Sequence, residues 1–297
     1  MTNHRSEGPG DAPLDSRAVR RSFDAASSDY DAAAILQKEV RTRLLARLDF
    51  VKLEPEVIVD LGAGTGHASR ALKDRYPGAQ VIALDLAQGM LVEARRRLGW
   101  LRRFERVCAD AGRMPLKDRS VDLVVSNLML QWCDPPDTVL AEVQRVLKPG
   151  GLFTFTSLGP DTLRELRVAW SKVDDRPHVH RFIDMHDLGD ALVRAGLAEP
   201  VLDVENFTLT YREARVLMRE LKAIGARNAA HGRSQGLTGR ASLRVLENAY
   251  EQFRREGVLP ATYEVVYGQA WGRVNEPRAS RESGEIRIPV DSLRKRN

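Results

Sequence analysis

Apolar positions along this chain keep two rhythms, one helical and one suited to buried strands. Ala18, Val19 and Phe23 recur at helical spacing from Asp15 onward. After a break at Ser27-Ser28 the pattern resumes with Tyr30, Ile35, Leu36, Val40, Leu44, Leu45 and Leu48, which predicts a helical prelude over 15–50. Short apolar runs then alternate with helical stretches. Val57-Ile58-Val59 leads into a glycine-rich turn and a helix over 68–76, and a strand over 81–84 leads into a helix over 89–98. A third strand covers 106–109 and a fourth Val121–Ser126, followed by a helix over 136–147, the breaker Lys148-Pro149-Gly150-Gly151 and a fifth strand over 152–156. Strands alternating with helices imply a parallel sheet covered on both faces.

After Gly159 the rhythm loosens. Helices are expected at 161–173, 185–195, 211–224 and 241–256, and strands at 201–209 and 263–271 fit as an edge hairpin with the intervening helices as a lid. The fold class is therefore α/β, a doubly wound, mainly parallel seven-stranded sheet with an N-terminal helical flap and a C-terminal helical lid insertion. The expected divisions are a disordered leader over 1–14, the flap over 15–50, a cofactor-binding α/β core over 51–159, the rest of the sheet with a substrate-binding lid over 160–273, and a disordered tail over 274–297 in which 286–290 is apolar enough to dock. No internal repeat is visible.

Composition narrows the class. In 297 residues, 43% hydrophobic and 29% charged side chains describe a soluble globular protein rather than a disordered one. No apolar run reaches the ~18 to 20 residues of a membrane span and residues 1–10 lack a secretory signal, so no membrane partner and a cytoplasmic enzyme are expected. Two cysteines, Cys108 and Cys133, without a CxxC pair or neighbouring histidines suggest buried small apolar residues and no metal site. The net charge of +5 is interspersed with acids, which points away from nucleic acid and leaves room for an acidic partner.

The chemistry concentrates after the first strand, at Asp60-Leu61-Gly62-Ala63-Gly64-Thr65-Gly66. Gly62, Gly64 and Gly66 permit close backbone approach by a ligand. The GxGxG spacing differs from the GxGxxG of dinucleotide sites, and the acid Asp60 would repel a pyrophosphate while suiting a cationic amino group or sulfonium, as in S-adenosylmethionine. Asp85, nineteen residues past Gly66 at a strand end, suits the ribose hydroxyls. Asp110 suits the adenine amino group, Leu86, Met90 and Ala111 would sandwich the ring, and Asn127 would face the transferable methyl. Taken singly, Asp110 and Met90 also fit a solvent-facing and a core role.

Asn127-Leu128-Met129-Leu130-Gln131-Trp132-Cys133 makes the resemblance more specific. Together with Phe23-Asp24-Ala25-Ala26 and Tyr30, Arg145 to Gly151, Asp174-Asp175-Arg176-Pro177-His178 with Arg181-Phe182, and Leu221-Lys222-Ala223-Ile224-Gly225-Ala226 with Gly232-Arg233, it resembles the malonyl-acyl carrier protein O-methyltransferases of biotin synthesis, over 19–273. Lys148-Pro149-Gly150-Gly151 marks only the wider Rossmann-like class I methyltransferase superfamily; Gln131-Trp132-Cys133 and the Ile-Gly-Ala segment discriminate. The resemblance implies methyl transfer from S-adenosylmethionine to the free carboxylate of malonyl-acyl carrier protein, giving the methyl ester that starts pimeloyl synthesis.

A carboxylate of pKa near ~4 is already ionised at neutral pH and needs no general base. Tyr30, Gln131 and Trp132 are the candidates for the wall around the reacting centre, with Tyr30 on a flap; a buried aromatic with one satisfied hydrogen bond is the plain alternative for Trp132 and Tyr30. The malonyl carboxylate calls for a cation or strong donor, and His180, Arg181, Lys222 and Arg233 are candidates, against the background that helices of a basic protein carry solvated Lys and Arg. Arg212, Arg215, Arg219 and Lys222 fall on one stripe, which reads equally as a docking ridge for an acidic carrier protein and as a solvated face. Two other functions use the same scaffold: a complex I assembly-type protein arginine hydroxylase and a non-catalytic interaction protein. A nicotinamide dehydrogenase is disfavoured by the glycine spacing and Asp60.

Overall fold

The structure, a computed structural model, describes residues 14–98, 103–176, 178–226 and 239–274. At its centre lie β1 (Val57–Leu61), β2 (Gln80–Asp85), β3 (Glu105–Cys108), β4 (Val121–Ser126), β5 (Leu147–Leu158), β6 (Ala198–Tyr211) and β7 (Leu259–Trp271), arranged as one seven-stranded sheet in the order β3-β2-β1-β4-β5-β7-β6. β1 pairs in parallel with β2 and β4, the parallel run extends to β3 and β5, and β7 is antiparallel to both β5 and β6. The doubly wound, mainly parallel sheet expected from the sequence is present. Strand order reverses between β1 and β4, so the loops leaving their C-terminal ends diverge and open a crevice, the usual ligand position in such sheets.

Around the sheet run α1 (Ser16–Ala26), α2 (Tyr30–Ala33), α3 (Ile35–Ala46), α4 (His67–Arg75), α5 (Gln88–Ala94), α6 (Asp137–Val146), α7 (Arg164–Trp170), α8 (Met185–Arg194), α9 (Ala214–Ala223) and α10 (Arg240–Glu251). Successive strand residues point to opposite faces, so a sheet covered twice must be apolar at nearly every position. Ile58 packs in a core with Leu44 of α3, Leu72 of α4 and Leu217 of α9, whereas its neighbour Val59 packs with Val143 of α6 and Leu192 of α8. Each such side chain, fully withdrawn from water, contributes roughly 1.5–3 kcal/mol. Asp15 starts the flap by capping α1, its carboxylate accepting from the N–H groups of Arg17 at 3.0 Å and Ala18 at 3.2 Å.

Several expectations shift. The helices between β6 and β7 are less a separate lid than a continuation of the sheet's cover, because Leu217 of α9 and Leu246 and Tyr250 of α10 share a core with Val265 and Tyr267 of β7. α7 starts at Arg164 rather than 161, since the N–H of Leu163 is taken by the Thr262 carbonyl at 2.7 Å and Leu163 turns left-handed at φ 55°. β5 begins at Leu147 and includes the Lys-Pro-Gly-Gly breaker, which stays in the sheet through N–H···O bonds from Gly150 to Gly272 and from Gly272 to Gly151. β3 is an edge strand, so Cys108 is exposed rather than buried, and Cys133 is half-buried. Apart from Leu14 and Val274, the expected leader and tail lie outside the described residues. Among the described residues no helix is long and apolar enough to cross a membrane, and no three potential ligand side chains gather as a metal site would require.

Candidate active site

The turn after β1 is anchored on β2, where the N–H groups of Gly62 and Ala63 donate to the Leu84 carbonyl at 2.8 and 3.0 Å. Gly62, Gly64 and Gly66 all have positive φ, a region that side chains disfavour. Their surroundings differ. A Cβ at 62 would overlap Met129 and one at 66 would lie 2.8 Å from the Cβ of Ala94, whereas nothing lies within 4 Å of a Cβ at 64. Gly62 and Gly66 thus keep the turn packed against the loop after β4 and against α5, and Gly64 leaves its backbone bare to the crevice. Gly62 and Gly64 line the crevice; Gly66 is not among its wall residues.

Each of three parallel strands delivers an acid. Asp60, the fourth residue of β1, is 1% exposed and accepts a 2.5 Å hydrogen bond from Ser69 of α4. Burial pushes its carboxyl up to about 6, opposed by Ser69 and by the charge of Arg41. Asp85 closes β2 and accepts from the N–H groups of Gly64 and Ala87, both at 2.8 Å. Burial raises its pKa as well, against those two donors. Asp110 lies two residues past β3, exposed, and accepts from the Gly112 N–H at 2.8 Å.

Two adjoining clefts share Tyr30, Gly62, Gly64 and Asn127 as walls. The first runs past Asp85, Leu86, Met90, Asp110 and Ala111 beneath α1, and is also lined by Leu14, which the sequence assigned to the leader. The second holds Asp60, Ala63 and Thr65 opposite Gln37, Lys38 and Arg41 of α3. Arg41 is half-buried and makes no hydrogen bond or ion pair within the described residues; desolvation lowers its pKa while Asp60, Tyr30 and Asp31 oppose that. A desolvated cation facing a buried acid across a cavity suits a zwitterion. Sequence reading missed Arg41. Its signal was local, because Lys38 and Arg41 stand three apart on α3, outside the stripe of the buried Leu36, Val40 and Leu44.

The flap is pinned to these clefts at several points. The N–H of Gly89 donates to Asp24 at 2.8 Å, and Asp31 accepts from Thr65 at 2.6 Å and from Arg97. Although burial raises the Asp31 carboxyl, Thr65, Arg97 and His67 outweigh that and hold it below the ordinary value. Asn127 bridges strand and flap, donating to the Gln37 carbonyl and accepting from Thr156, each at 3.1 Å. Tyr30 is half-buried, with its phenol pKa raised by desolvation and by the charges of Asp85 and Asp31.

Tyr30 also walls a third, inner cavity, together with Trp132, Gln131, Gln37 and His180. Trp132 makes an edge contact with Phe23 at 5.3 Å and a tilted one with His180 at 5.0 Å. Gln131 donates to the Leu128 carbonyl at 2.7 Å. Burial, with the charge of Arg167, pulls His180 down to about 4, so the imidazole is neutral at pH 7 and is no cation. Arg181 and Lys222 are exposed and line none of the three spaces, and Arg233 lies outside the described residues. Arg212, Arg215, Arg219 and Lys222 are all exposed, as a ridge requires, but Arg215 is engaged by Glu247.

A sequence profile described as a methyltransferase domain matches residues 59–155. The malonyl-[acyl-carrier protein] O-methyltransferase of a Methylovorus species is 57% identical over 264 residues, covering 87% of this chain and 89% of that protein. The enzyme of the same name from Halorhodospira halophila is 51% identical, covering 97% and 99%. Among solved structures, Haemonchus contortus phosphoethanolamine N-methyltransferase 2 in complex with S-adenosyl-L-methionine superposes with a TM-score of 0.54 at 18% identity, covering 84% of this chain and 57% of that one, a likeness of fold.

Proposed function

This chain belongs to the malonyl-[acyl-carrier protein] O-methyltransferase family, and from that premise we propose which of its residues carry the transfer. The reaction moves a methyl group from S-adenosylmethionine to the free carboxylate of the malonyl thioester. When bound, the cofactor supplies an electrophilic sulfonium methyl.

The residues fit that group. Asp60 and Arg41 offer opposite charges to the ammonium and carboxylate of its methionine part, and the bare backbone at Gly64 admits close approach. Each Asp85 oxygen accepts one backbone N–H and keeps a further lone pair for a ribose hydroxyl. Asp110 would accept from the adenine amino group, and Leu86, Met90 and Ala111, walls of the same cleft, would flank the ring.

No proton has to move. The malonyl carboxylate, with an ordinary pKa near ~4, arrives ionised, so catalysis is positioning and exclusion of water, together worth up to roughly 7–11 kcal/mol. Tyr30, Asn127, Gln37 and Trp132 form the junction where the clefts and the inner cavity share walls, and they would hold the carboxylate against the methyl. That shared wall carries the conclusion: it sets a separate chamber for an acceptor directly beside the donor site. Neither an arginine hydroxylase nor an interaction protein draws support from any feature of it.

The acidic carrier protein would dock on the exposed ridge of α9, through Arg219 and Lys222 rather than the already paired Arg215. Mass spectrometry of malonyl-carrier protein incubated with enzyme and S-adenosylmethionine should find one added methyl on the malonyl group; modification of the carrier polypeptide instead would contradict the proposal.

A further inference from the structure

The inner cavity has no Asp, Glu, Lys or Arg among its described wall residues, so an uncharged chamber adjoins a charged cleft. Its walls are largely apolar, with Leu36, Leu163, Leu166, Phe182, Leu221 and Ile224 among them. Set in these walls are three buried polar atoms without a hydrogen-bond partner among the described residues: Oε1 of Gln131, Oε1 of Gln37 and Nε2 of His180. Such atoms are costly in apolar surroundings unless a ligand satisfies them.

The amide of Gln131 is fixed in orientation. Its Nε2 donates to the Leu128 carbonyl at 2.7 Å, and flipping the amide would set two carbonyl oxygens against each other. The oxygen left over can only accept. A malonyl carboxylate at neutral pH has no proton to give and would be repelled there, whereas an amide N–H matches it. His180 sits between Trp132 and Phe182, ring centroids 5.0 and 4.5 Å away, where a neutral imidazole can donate from Nε2 without bringing charge into the chamber.

Resting on the malonyl-thioester proposal above, we infer that this cavity holds the uncharged arm of the thioester, with Gln131 Oε1 accepting an amide N–H of the arm and His180 Nε2 donating to the thioester carbonyl. The carboxylate lies at the junction shared with the cofactor clefts, one methylene separates it from the thioester carbonyl, and the sulfur and two further methylenes lead to the first amide N–H. The arm then leaves past Leu221 and Ile224 at the end of α9. Gln131 is thereby a substrate-binding residue that reads the arm, and the enzyme selects thioesters of amide-bearing thiols.

Two small substrates isolate the N–H: malonyl-N-acetylcysteamine, and the malonyl 4-oxopentyl thioester, in which a methylene replaces the amide nitrogen and the carbonyl is kept. The native protein is expected to prefer the amide by ~10-fold or more in kcat/KM, the consequence of leaving a buried acceptor unsatisfied. In Gln131→Leu the preference should collapse to within about twofold. Because the ratio is taken within one protein, a general loss of activity cancels, and the dissociation constant for S-adenosylmethionine reports whether the variant retains its fold. Equal rates on both thioesters in the native protein, or an undiminished preference in Gln131→Leu, would overturn the inference while leaving malonyl methylation standing. Methylation of neither thioester, nor of the malonyl-carrier protein, would remove the underlying function and this inference with it.

Discussion

Ser22 on the flap helix α1 donates a 2.8 Å hydrogen bond to the carbonyl of Gly225 just beyond α9, joining residues 203 apart in sequence. Phe23, next to Ser22, walls both the first cleft and the inner cavity, and Ile224, next to Gly225, walls the inner cavity. One contact thus ties the flap to the segment after α9 beside walls of the first cleft and the inner cavity.

Gly225 makes that approach possible. It has φ +73°, and a Cβ there would stand 3.1 Å from Phe23 Cδ1 and 3.2 Å from the Ser22 carbonyl oxygen. Gly225→Val is expected to destabilise the protein by about 1–3 kcal/mol through backbone strain and crowding. It should also raise the KM for the malonyl substrate more than the Kd for S-adenosylmethionine. Thermal denaturation and steady-state kinetics check this, and an unchanged Tm with an unchanged KM would count against that tie.

Arg41 should matter to the donor rather than the acceptor. Arg41→Met is expected to weaken S-adenosylmethionine by ~10-fold or more, the value of a charge-assisted hydrogen bond, with little effect on the malonyl KM. Calorimetry separates the alternatives, since intact cofactor affinity with a raised malonyl KM would place the acceptor carboxylate on Arg41.

Asp60 sets a pH dependence. Its carboxyl, pushed up to about 6 by burial, must be ionised to hold an ammonium group. Cofactor affinity should therefore be full above pH 6 and fall as pH drops through it, approaching a tenfold loss per unit below (about 1.4 kcal/mol). The sign for folding of the free protein is opposite. A folded pKa above the unfolded ~3.9 means that Asp60 contributes stability present below about pH 4 and lost as pH rises through 6. Binding titrations from pH 5 to 7 on native protein and Asp60→Asn test this, and parallel profiles would rule Asp60 out.

The ridge on α9 predicts a substrate-dependent effect. Reversing charge at Arg219 and Lys222, both exposed, should lower kcat/KM for malonyl-carrier protein by ~10-fold and reduce its salt sensitivity, leaving malonyl-N-acetylcysteamine unaffected. Equal losses on both substrates would show that the ridge does not dock the carrier.

Much of the fold was legible because its signals are local. Val121–Ser126 is the same strand in sequence and structure, since a run buried on both faces has sharp ends. The sequence pattern predicts β6 over 201–209 but the strand runs over Ala198–Tyr211, because an edge strand alternates half-buried with exposed residues and its flanks look like loop. In the site, acids at strand ends were readable from spacing, whereas the chamber was not. It is assembled from residues of α1, α2, α3, the loop after β4, α7, the segment before α8, α9 and β7, and the neutrality of His180 comes from its burial there and the charge of Arg167. For the same reason the helix stripe alone does not reveal that Arg215 is paired, because its partner Glu247 lies on α10.

The central claim is that the free malonyl carboxylate is the acceptor, and it is tested most directly by methyl-labelled S-adenosylmethionine offered with malonyl-carrier protein and, in parallel, with acetyl-carrier protein, which differs by that carboxylate alone. Label should enter the malonyl substrate as an ester released by mild esterase treatment and should not enter the acetyl substrate; equal labelling of both, or label that resists the esterase, would contradict the account.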